Sequence, residues 1–413
     1  MSIRHAVAIS FALSCGCAHA AELTLADALA AARSNLDVSI ATRAVAAAQG
    51  DVLAADHAPL PQLSAKLSQM DLQHGLGPGN VFTDKRIDKS VGLDWTWERG
   101  DKRSLRTEAA RRSATAAAAD LEEVRAQQAL LAYGAFFDLL AAQGRIEQLA
   151  AVERSALQTA DVARKRLSAG DVAQQDASRA AIEAERARAD GDTARLDLRR
   201  AQIALSQITG SDANAGGLVA RADWPAATEM ATTPALDELL AQRADVRAAA
   251  ERVQAAQAAL SGAAAQRHVD VTWGASFDHW PGTSTRQLEL RASMPLTWGY
   301  RYEGETARAQ AQFDQARDAL DKTRRAAMAE LQRLQAEATG AALRAGRFDA
   351  EIVPRSREVA QRAELAYSKG ALPLTDLLDA RRTLRAVQLD ALAARTDLAK
   401  ALGAWQLRTA LSR

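Results

Sequence analysis

The sequence has few cysteines and few aromatic residues, and its positive and negative charges are nearly balanced. Its 413 residues include two cysteines, Cys15 and Cys17, and aromatic side chains make up 4% of the chain. The formal net charge is +1, so no strong field favours a nucleic acid as partner. Because both cysteines lie in the first 20 residues, a chain cleaved after residue 20 holds no thiol for a disulfide or a metal.

Long apolar runs are also missing. After residue 20 no stretch of 18 consecutive apolar residues occurs, so no membrane-spanning helix is expected. Residues 1–20 have the pattern of a secretory signal: Arg4 precedes a short apolar run, and residues 18–20 (Ala-His-Ala) form a small-x-small cleavage site. A lipoprotein signal at Cys15 is the alternative, although the residues before it make a poor lipobox. The exported chain is then periplasmic, extracellular or part of an outer-membrane β-barrel.

Motifs for catalysis and cofactor binding are not found. The histidines beyond residue 20 (His57, His74, His268 and His279) are scattered and do not pair at ligand spacing with a carboxylate or another histidine. The chain has no glycine-rich phosphate loop and no Gly-x-Ser-x-Gly motif. We therefore expect neither an enzyme, nor a cofactor, nor a bound metal.

What the sequence does contain is an internal repeat. Gly170 corresponds to Gly370 and Asp176 to Asp376 at an offset of 200, and residues 35–38 correspond to 243–246 at an offset of 208. A repeat of this length indicates one architectural unit used twice. We assign residues 21–210 to the first repeat, 211–232 to a linker and 233–413 to the second repeat.

Period-2 alternation predicts one β-hairpin in each repeat. Residues 269–280 and 286–298 alternate apolar and polar side chains, as do residues 89–98 and, more weakly, residues 62–73. Each strand has about 10–12 residues, the length of a tilted strand that crosses a bilayer. Five tryptophans lie in or beside these strands, as expected at a membrane interface: Trp95, Trp97, Trp273, Trp280 and Trp298.

Four strands are too few to close a barrel, which needs about eight. Because open sheet edges are not tolerated in lipid, the barrel must be shared between subunits. Three copies give twelve strands, so this interpretation requires a homotrimer in outer-membrane lipid. A soluble sandwich with one buried face is the alternative.

Long helices fill the rest of each repeat. Apolar residues between Leu105 and Ala169 recur at spacings of three and four without an intervening proline, which is typical of a coiled-coil seam. Gly170 and Gly370 act as helix stops. The pattern predicts helical hairpins over residues 99–210 and 303–408. The fold class is therefore mostly α with a membrane β part, built from two repeats of helix, β-hairpin and long helical hairpin.

The stretch from Tyr367 to Ala380 resembles the periplasmic tip of the TolC family of outer-membrane efflux proteins. It contains a tyrosine, a glycine and two aspartates three residues apart. The resemblance implies that Tyr367, Asp376 and Asp379 lie at the pore constriction. It also implies a trimer with a twelve-stranded β-barrel in the outer membrane of a Gram-negative bacterium and an α-helical barrel in the periplasm.

Arg166-Leu167-Ser168 is similar to the motif by which some members meet a periplasmic adaptor. The resemblance implies that the adaptor contacts the two tips, through Arg166, Leu167, Ser168 and Gly170 in the first and through Lys369 and Gly370 in the second. In TolC an arginine follows the tip glycine and helps to hold the pore shut. Leu372 stands there in this chain, and Lys369 and Arg381 are the nearby cations.

Residues 97–103 are similar to the stretch after the second strand in CzcC-type heavy-metal efflux proteins. This resemblance implies an exit duct that works with an adaptor and an inner-membrane pump, most simply of the RND type, to export heavy-metal cations or small toxic compounds. The alternatives are a type I secretion duct and, from a different class, a periplasmic coiled-coil adaptor or scaffold.

Overall fold

The chain is mostly helical in this computed structural model, which describes residues 21–68, 73, 87–210, 217–226, 235–280 and 284–410. The helices of the first repeat are α1 (Leu25–Ala32), α2 (Leu36–Ala55), α3 (Lys102–Ser168) and α4 (Gln174–Thr209). Those of the second are α5 (Leu236–Gln242), α6 (Ala244–Ala265), α7 (Glu303–Arg347), α8 (Val353–Ser368) and α9 (Leu374–Ala410). A π-helical segment, Phe348–Ile352, joins α7 to α8. The predicted signal, residues 1–20, lies outside the described residues.

The strands are β1 (Ala21–Thr24), β2 (Gln62–Ser68), β3 (Asp88–Trp97), β4 (Leu218–Arg221), β5 (Val271–Trp280) and β6 (Ser284–Ser293). The two hairpins form one antiparallel sheet with the order β2-β3-β5-β6. β3 and β5 join the two repeats, and Trp95 lies directly opposite Trp273. Within the described residues, β2 and β6 are paired on one side only, so the sheet has two open edges.

Small side chains allow the long helices to approach closely. α3 spans 67 residues, and its fully buried positions include Ala116, Ala132 and Phe136. Alanine keeps a high helix propensity and leaves room for a neighbouring backbone. α3 packs against α2, α4, α6 and α9, while α7 packs against α6 and α9. The alanine-rich composition therefore allows long helices to pack side by side instead of around one globular core.

Two predicted boundaries are wrong. The fourth strand ends at Ser293 rather than 298, because Pro295 has no N–H to continue the ladder. The linker predicted over 211–232 contains β4, which pairs in parallel with β1. A four-residue strand of this kind is too short for period-2 patterning to reveal. The described sheet residues of the strand predicted over 62–73 end at Ser68, and residues 69–72 are outside the described residues.

Each repeat contains a joint at which the start of one helix lies at the end of another. In the first repeat, Asn35 caps α2 and its Nδ2 donates to the carbonyl oxygen of Ile208 in α4, at 2.9 Å. At the same joint, Gln128 Nε2 donates to Asp37 Oδ2 at 2.7 Å. These are neutral donors, and they connect α2 and α4 with α3.

The second joint is ionic. Arg243, which corresponds to Asn35, is 7% exposed and its Nη2 lies 2.8 Å from Asp245 Oδ2 and 2.7 Å from Glu330 Oε2. Arg408 of α9 contacts the other oxygen of Glu330 at 3.3 Å and Glu123 of α3 at 2.9 Å. The same position in the repeat thus carries a charged network that ties α3, α6, α7 and α9 together.

We expect this ionic joint to weaken in acid. Burial alone raises the pKa of the Asp245 carboxyl, but hydrogen bonds and charge from Arg243 outweigh burial, so the pKa lies below its ordinary value of 3.8. A lowered folded-state pKa adds stability that is fully present above about 3.8 and is lost as the pH falls through the folded-state value. Asp245→Asn should lower stability by about 1–3 kcal/mol at neutral pH. Melting temperatures in detergent should show this loss shrinking below pH 4.

The matched control for that measurement is Asp318→Asn, an exposed carboxylate of α7 with no ion pair among the described residues. Its melting temperature should follow that of the wild type at every pH. A loss in Asp245→Asn that persists unchanged at low pH would show that the carboxylate stabilises the joint through packing rather than through its charge.

Candidate functional site

The two helical hairpins, α3 with α4 and α8 with α9, each end in a tight turn, which we call the first and the second tip. Both tips are closed by the same hydrogen bonds. In the first, the N–H of Gly170 donates to the Leu167 carbonyl (3.0 Å) and that of Asp171 to the Arg166 carbonyl (2.8 Å). In the second, Gly370 donates to Tyr367 (3.0 Å) and Ala371 to Ala366 (2.9 Å). This double closure is the Schellman arrangement that ends a helix on a left-handed residue. The repeat seen in the sequence is therefore a repeat of backbone geometry.

The left-handed residue at each tip is the glycine. Gly170 has φ +82° and Gly370 has φ +74°, values that side chains disfavour. A Cβ built on either glycine meets no atom within 4 Å, so the requirement comes from the backbone and not from crowding. Ser168, two residues before Gly170, and Lys369, directly before Gly370, are exposed. The tips thus present an open surface.

The structure brings together residues that the sequence assigned to different roles. The Arg166 guanidinium carbon lies 5.6 Å from the centre of the Tyr367 ring, a cation–π contact between the first tip and the second. Below this contact, Ala163 and Ala180 of the first hairpin pack with Leu374 and Leu377 of α9. Arg166, which the sequence assigned to adaptor docking, therefore contacts Tyr367, which it assigned to the pore constriction.

Asp376 and Asp379 lie on one exposed face at the start of α9. Asp376 Oδ1 accepts a hydrogen bond from Thr375 Oγ1 at 3.2 Å. Asp379 precedes Arg382 by three residues. The hydrogen bonds that Arg382 donates to Glu183 raise the pKa of that arginine, and the charge of Asp379 adds to this rise. The first tip differs: Asp176 there is followed three residues later by Arg179, whose Nη1 lies 4.0 Å away. The helix that leaves the tip therefore begins with two exposed acids in the second hairpin and with one acid in the first.

Three arginines of α9 reach from the second hairpin to the first, and of these the sequence had pointed only to Arg381. Arg381 Nη1 donates to Thr159 Oγ1 of α3 at 2.8 Å, and its Nε donates to Glu364 of α8 at 3.0 Å. Arg382 Nη2 donates to Glu183 of α4 at 2.6 Å, and Arg385 pairs with Asp190 of α4. The signal available in the sequence was the group of arginines at positions 381, 382 and 385 on a helix whose buried positions are mainly alanine and leucine.

The contact between Arg382 and Glu183 is strong enough to affect titration. The hydrogen bond from Arg382 lowers the pKa of the Glu183 carboxyl, more than burial raises it. Both groups therefore stay charged through the neutral range. The two hairpins are held together by ion pairs as well as by the apolar contacts at the tip.

The sheet is apolar on its exposed face. Cross-strand rows such as Ala65–Val91–Phe277–Leu288 run over all four strands. Ten large apolar side chains on this face are about half exposed or more: Leu63, Leu67, Val91, Leu93, Trp95, Trp97, Trp273, Phe277, Leu288 and Leu290. Trp280 is half-buried at the far end of β5, and Trp298 follows β6 and is 87% exposed. In a water-soluble protein a sheet face with these apolar side chains would be buried against a core.

The opposite face of the sheet is polar. Arg291 Nη2 lies 2.6 Å from Asp94 Oδ1, and Thr96 Oγ1 lies 2.9 Å from Thr272 Oγ1. Asp278 is 1% exposed and accepts a hydrogen bond from Ser276 Oγ at 3.1 Å. Polar side chains cluster where a conventional sheet has its core, as they do in the lumen of a membrane barrel.

The stretch similar to the heavy-metal branch serves as the joint between sheet and helices. Lys102 Nζ lies 2.8 Å from Asp270 Oδ1, and the backbone N–H of Arg99 donates to the same oxygen at 3.0 Å. Glu98 holds Arg106 through two oxygens, at 2.6 and 3.0 Å. These charges fix β3 and β5 to the start of α3. This structural role is sufficient to explain the charged residues of the stretch, which therefore give no indication of the exported substrate.

Within the described ranges, no helix is both long enough and apolar enough to cross a membrane. The same ranges hold no group of three or more histidine, cysteine, aspartate or glutamate side chains placed to share a metal ion.

One sheet with an exposed apolar face, formed by two β-hairpins and joined to two long helical hairpins, is the architecture expected of an outer-membrane channel. The chain belongs to the outer membrane efflux protein family, whose model matches residues 28–211 and 235–412. Family and fold are those of channels and not of enzymes. This membership favours a duct over the adaptor or scaffold alternative.

Solved structures with the same fold include CusC, with 19% identity, a TM-score of 0.79, and coverage of 93% of this chain and 91% of that chain. The Campylobacter jejuni CmeC outer membrane channel has 15% identity and a TM-score of 0.81, over 94% of this chain and 85% of that chain. The Neisseria gonorrhoeae MtrE outer membrane channel, in its open state, has 19% identity and a TM-score of 0.69, over 94% and 88%. A search of curated protein sequences gives no match to this chain.

Proposed function

We propose that this protein is the trimeric outer-membrane exit duct of a tripartite efflux system. The observation that carries the proposal is the four-stranded sheet with two open edges and an apolar exposed face. Unpaired backbone groups at those edges are costly in lipid, and four strands cannot close on themselves. Three copies joined edge to edge, β2 of one to β6 of the next, give a closed barrel of twelve strands.

The helices support the same closure. α2 and α4 pack chiefly on α3, whereas α7 packs on α6 and α9 and α8 packs on α9, so each subunit ends in two different helical edges. β2 follows α2 in the chain and β6 leads into α7, so each open edge of the sheet is continuous with the helical edge on the same side of the subunit. Exposed aliphatic side chains are concentrated on these edge helices and on the π-helical segment between α7 and α8: Leu36, Ile40, Leu53, Ile182, Leu196 and Ile203 on one side, and Leu343, Ile352, Val359 and Leu365 on the other.

The tips are the docking surface of this duct for a periplasmic adaptor, with an RND-type pump in the inner membrane. Their support is the exposure of Ser168 and Lys369 beside glycines that need a left-handed backbone. The helical barrel then lies in the periplasm of a Gram-negative cell, with the tips furthest from the outer membrane. The cargo we propose is heavy-metal cations or small toxic compounds, because the exposed acids Asp376 and Asp379 favour cations at the entrance.

Assembly tests this proposal directly. We expect chemical cross-linking of the purified protein in detergent to give a three-subunit band, and the same preparation to form conducting pores in planar bilayers. A stable monomer with full β content would contradict the shared barrel, because its strand edges would then be satisfied without neighbours.

The two acids at the second tip should set the ion selectivity of the pore. In a trimer they form two rings of three carboxylates, which raise the local cation concentration. Replacing Asp376 and Asp379 with alanine should weaken cation selectivity and divalent block several-fold in single-channel recordings. The matched control is Asp176→Ala at the first tip, since that carboxylate also lies near the start of the helix that leaves a tip and, like Asp379, is followed three residues later by an arginine. Unchanged selectivity in the double variant would assign the acids to helix-start stabilisation, worth about 0.3–1 kcal/mol each.

A further inference from the structure

The ionic joint of the second repeat contains a guanidinium nitrogen without a partner. Asp245 holds Arg243 through Nε and Nη2, and Glu330 holds it through Nη2, whereas Nη1 is shielded from water and has no hydrogen bond within the described residues. Burial lowers the pKa of Arg243, but hydrogen bonds and charge from the two carboxylates outweigh burial and raise it above its ordinary value. The side chain therefore keeps its charge, and leaving the N–H groups of Nη1 unpaired costs free energy.

Arg243 lines a cavity of about 260 Å³ between α3, α6 and α9. The charged side chains of its lining are four arginines and two glutamates: Arg125, Arg243, Arg247, Arg408, Glu122 and Glu123. The side chains of Arg243 and Arg408 are 6% and 9% exposed, whereas Arg125 and Arg247 are exposed residues. The buried pair therefore lies at the inner end of the cavity, and the exposed pair lies at its mouth.

The carboxylates at the inner end are already engaged. Glu330 is shared between Arg243 and Arg408, with one oxygen for each, and Glu123 lies 2.9 Å from Arg408 Nη1. Arg408 uses Nε and Nη1 for these contacts, and its Nη2 forms no hydrogen bond with a described residue. Because one carboxylate serves two guanidinium groups, the buried arginines have more N–H groups than these carboxylates satisfy.

The mouth of the cavity adds positive charge. Arg125 of α3 forms no ion pair with a described residue, while Arg247 of α6 pairs with Glu122 of α3. Ala244, the first residue of α6, also lines the cavity, so the N-terminus of this 22-residue helix lies beside it. The positive end of a helix dipole attracts anions. Unpaired guanidinium nitrogens and a helix N-terminus thus favour the same kind of ligand.

The corresponding joint of the first repeat lacks this arrangement. Asn35 stands there in place of Arg243, and Asp37, in place of Asp245, accepts a hydrogen bond from the neutral Gln128 at 2.7 Å. The two joints share their position in the repeat and differ in their charge. The first joint is therefore an internal control for any property that depends on the arginines of the second.

We propose that this cavity is a binding site for a small oxyanion such as inorganic phosphate. Guanidinium groups match the oxygens of an oxyanion in geometry as well as in charge, which favours phosphate over chloride. Because Nη1 of Arg243 is shielded from water, the anion draws this guanidinium toward the cavity, while Arg408 Nη2 and Arg125 bind it from α9 and α3. The bound anion connects three helices and stabilises the second joint. The site lies away from the tips and the sheet, so it goes beyond the proposed duct.

Thermal melting of the purified protein in detergent tests the site. Inorganic phosphate is added at fixed pH and constant ionic strength, with sodium chloride making up the difference, because screening alone changes the strength of surface ion pairs. The melting temperature should rise with phosphate concentration, since a ligand that binds only the folded state stabilises it by mass action. Isothermal titration calorimetry then gives the Kd. Equal melting temperatures in phosphate and in chloride would overturn the proposal.

Three variants locate the phosphate. Arg125→Gln should melt like the wild type without phosphate and bind phosphate about two- to fivefold more weakly, the effect of one exposed charge contact. Arg243→Lys keeps a positive charge beside Asp245 and Glu330 but loses the second terminal nitrogen, and most of the phosphate-dependent rise should disappear. Arg154→Gln is the matched control, because Arg154 is also an exposed arginine of α3 without an ion pair among the described residues.

The Arg125→Gln result decides the matter even where Arg243→Lys fails to fold. Wild-type affinity in Arg125→Gln would contradict the site. An equal loss of affinity in Arg154→Gln would mean that phosphate binds surface arginines without selection, which would also overturn it.

Hydrogen exchange separates the two joints. Phosphate should slow the exchange of backbone amides at the start of α6 and the end of α9, and it should leave the start of α2 unchanged. Equal protection at both joints, or none at the second, would contradict the site. These measurements need neither adaptor nor pump. A protein that binds phosphate at the second joint but forms no trimer would contradict the proposed duct and leave this inference intact, whereas a conducting trimer that does not respond to phosphate would do the reverse.

Discussion

Replacing both tip glycines with valine is expected to abolish efflux while leaving the trimer assembled in the membrane. Gly170 and Gly370 have positive φ values of 82° and 74°, and a β-branched residue in that region costs roughly 1–2 kcal/mol. The chain relieves this strain by changing the turn, so the tip surface no longer fits the adaptor. Resistance is measured in a host that lacks its own duct and carries the adaptor and pump, with trimer levels followed by cross-linking.

Gly210 provides the matched control. It ends α4 with φ +70°, and a Cβ there also meets no atom within 4 Å, but it lies at the end of the helix remote from the tip. Gly210→Val should therefore cost similar stability and leave resistance close to wild type. Full resistance in the double tip variant would exclude the tips as the docking surface.

Arginine in place of Leu290 should destabilise the inserted barrel by about 2–4 kcal/mol if this residue lies near the bilayer midplane. Leu290 is in the middle of β6, 76% exposed, and lies opposite Ala275 in a row of apolar side chains. A charge there must either remain in hydrocarbon or drag water into it. We expect a lower yield of trimer in liposome insertion and a lower urea concentration at the unfolding midpoint.

The control is Gln287→Arg, on the same strand but on the polar face. Gln287 lies opposite Asp278, so an arginine there gains an acidic neighbour. Insertion should match the wild type. Equal losses in both variants would mean that the two faces of the sheet do not differ in environment, which would contradict the membrane assignment of the apolar face.

How much of the site followed from the sequence is clearest at the tips. The offset of 200 between Gly170 and Gly370 predicted two equivalent turns, and the matching hydrogen bonds and positive φ values confirm that geometry. Their roles in docking and in the constriction stay predictions. Arg381, Arg382 and Arg385 of α9 were not identified as a set, because Arg382 and Arg385 contact acids nearly 200 residues earlier in the chain. No local pattern marks such a partner.

The sequence by itself determined the elements and the class of the fold. Period-2 alternation, apolar spacing of three and four, and glycine helix stops are local signals, and each acts over a few residues. They are sufficient to predict two copies of helix, hairpin and long helical hairpin, and family membership confirms the efflux class. The exported cargo leaves no such local pattern.

Only the tertiary structure decided how the elements meet. It placed β3 beside β5, so that two hairpins became one sheet with two open edges. It also gave equivalent positions different partners: Asn35 forms a neutral joint and Arg243 an ionic one. The physical reason is that pairing and burial depend on residues far apart in the chain, whose approach costs chain entropy that no local propensity reports. Local chemistry fixed the parts, and contacts between distant residues fixed their arrangement.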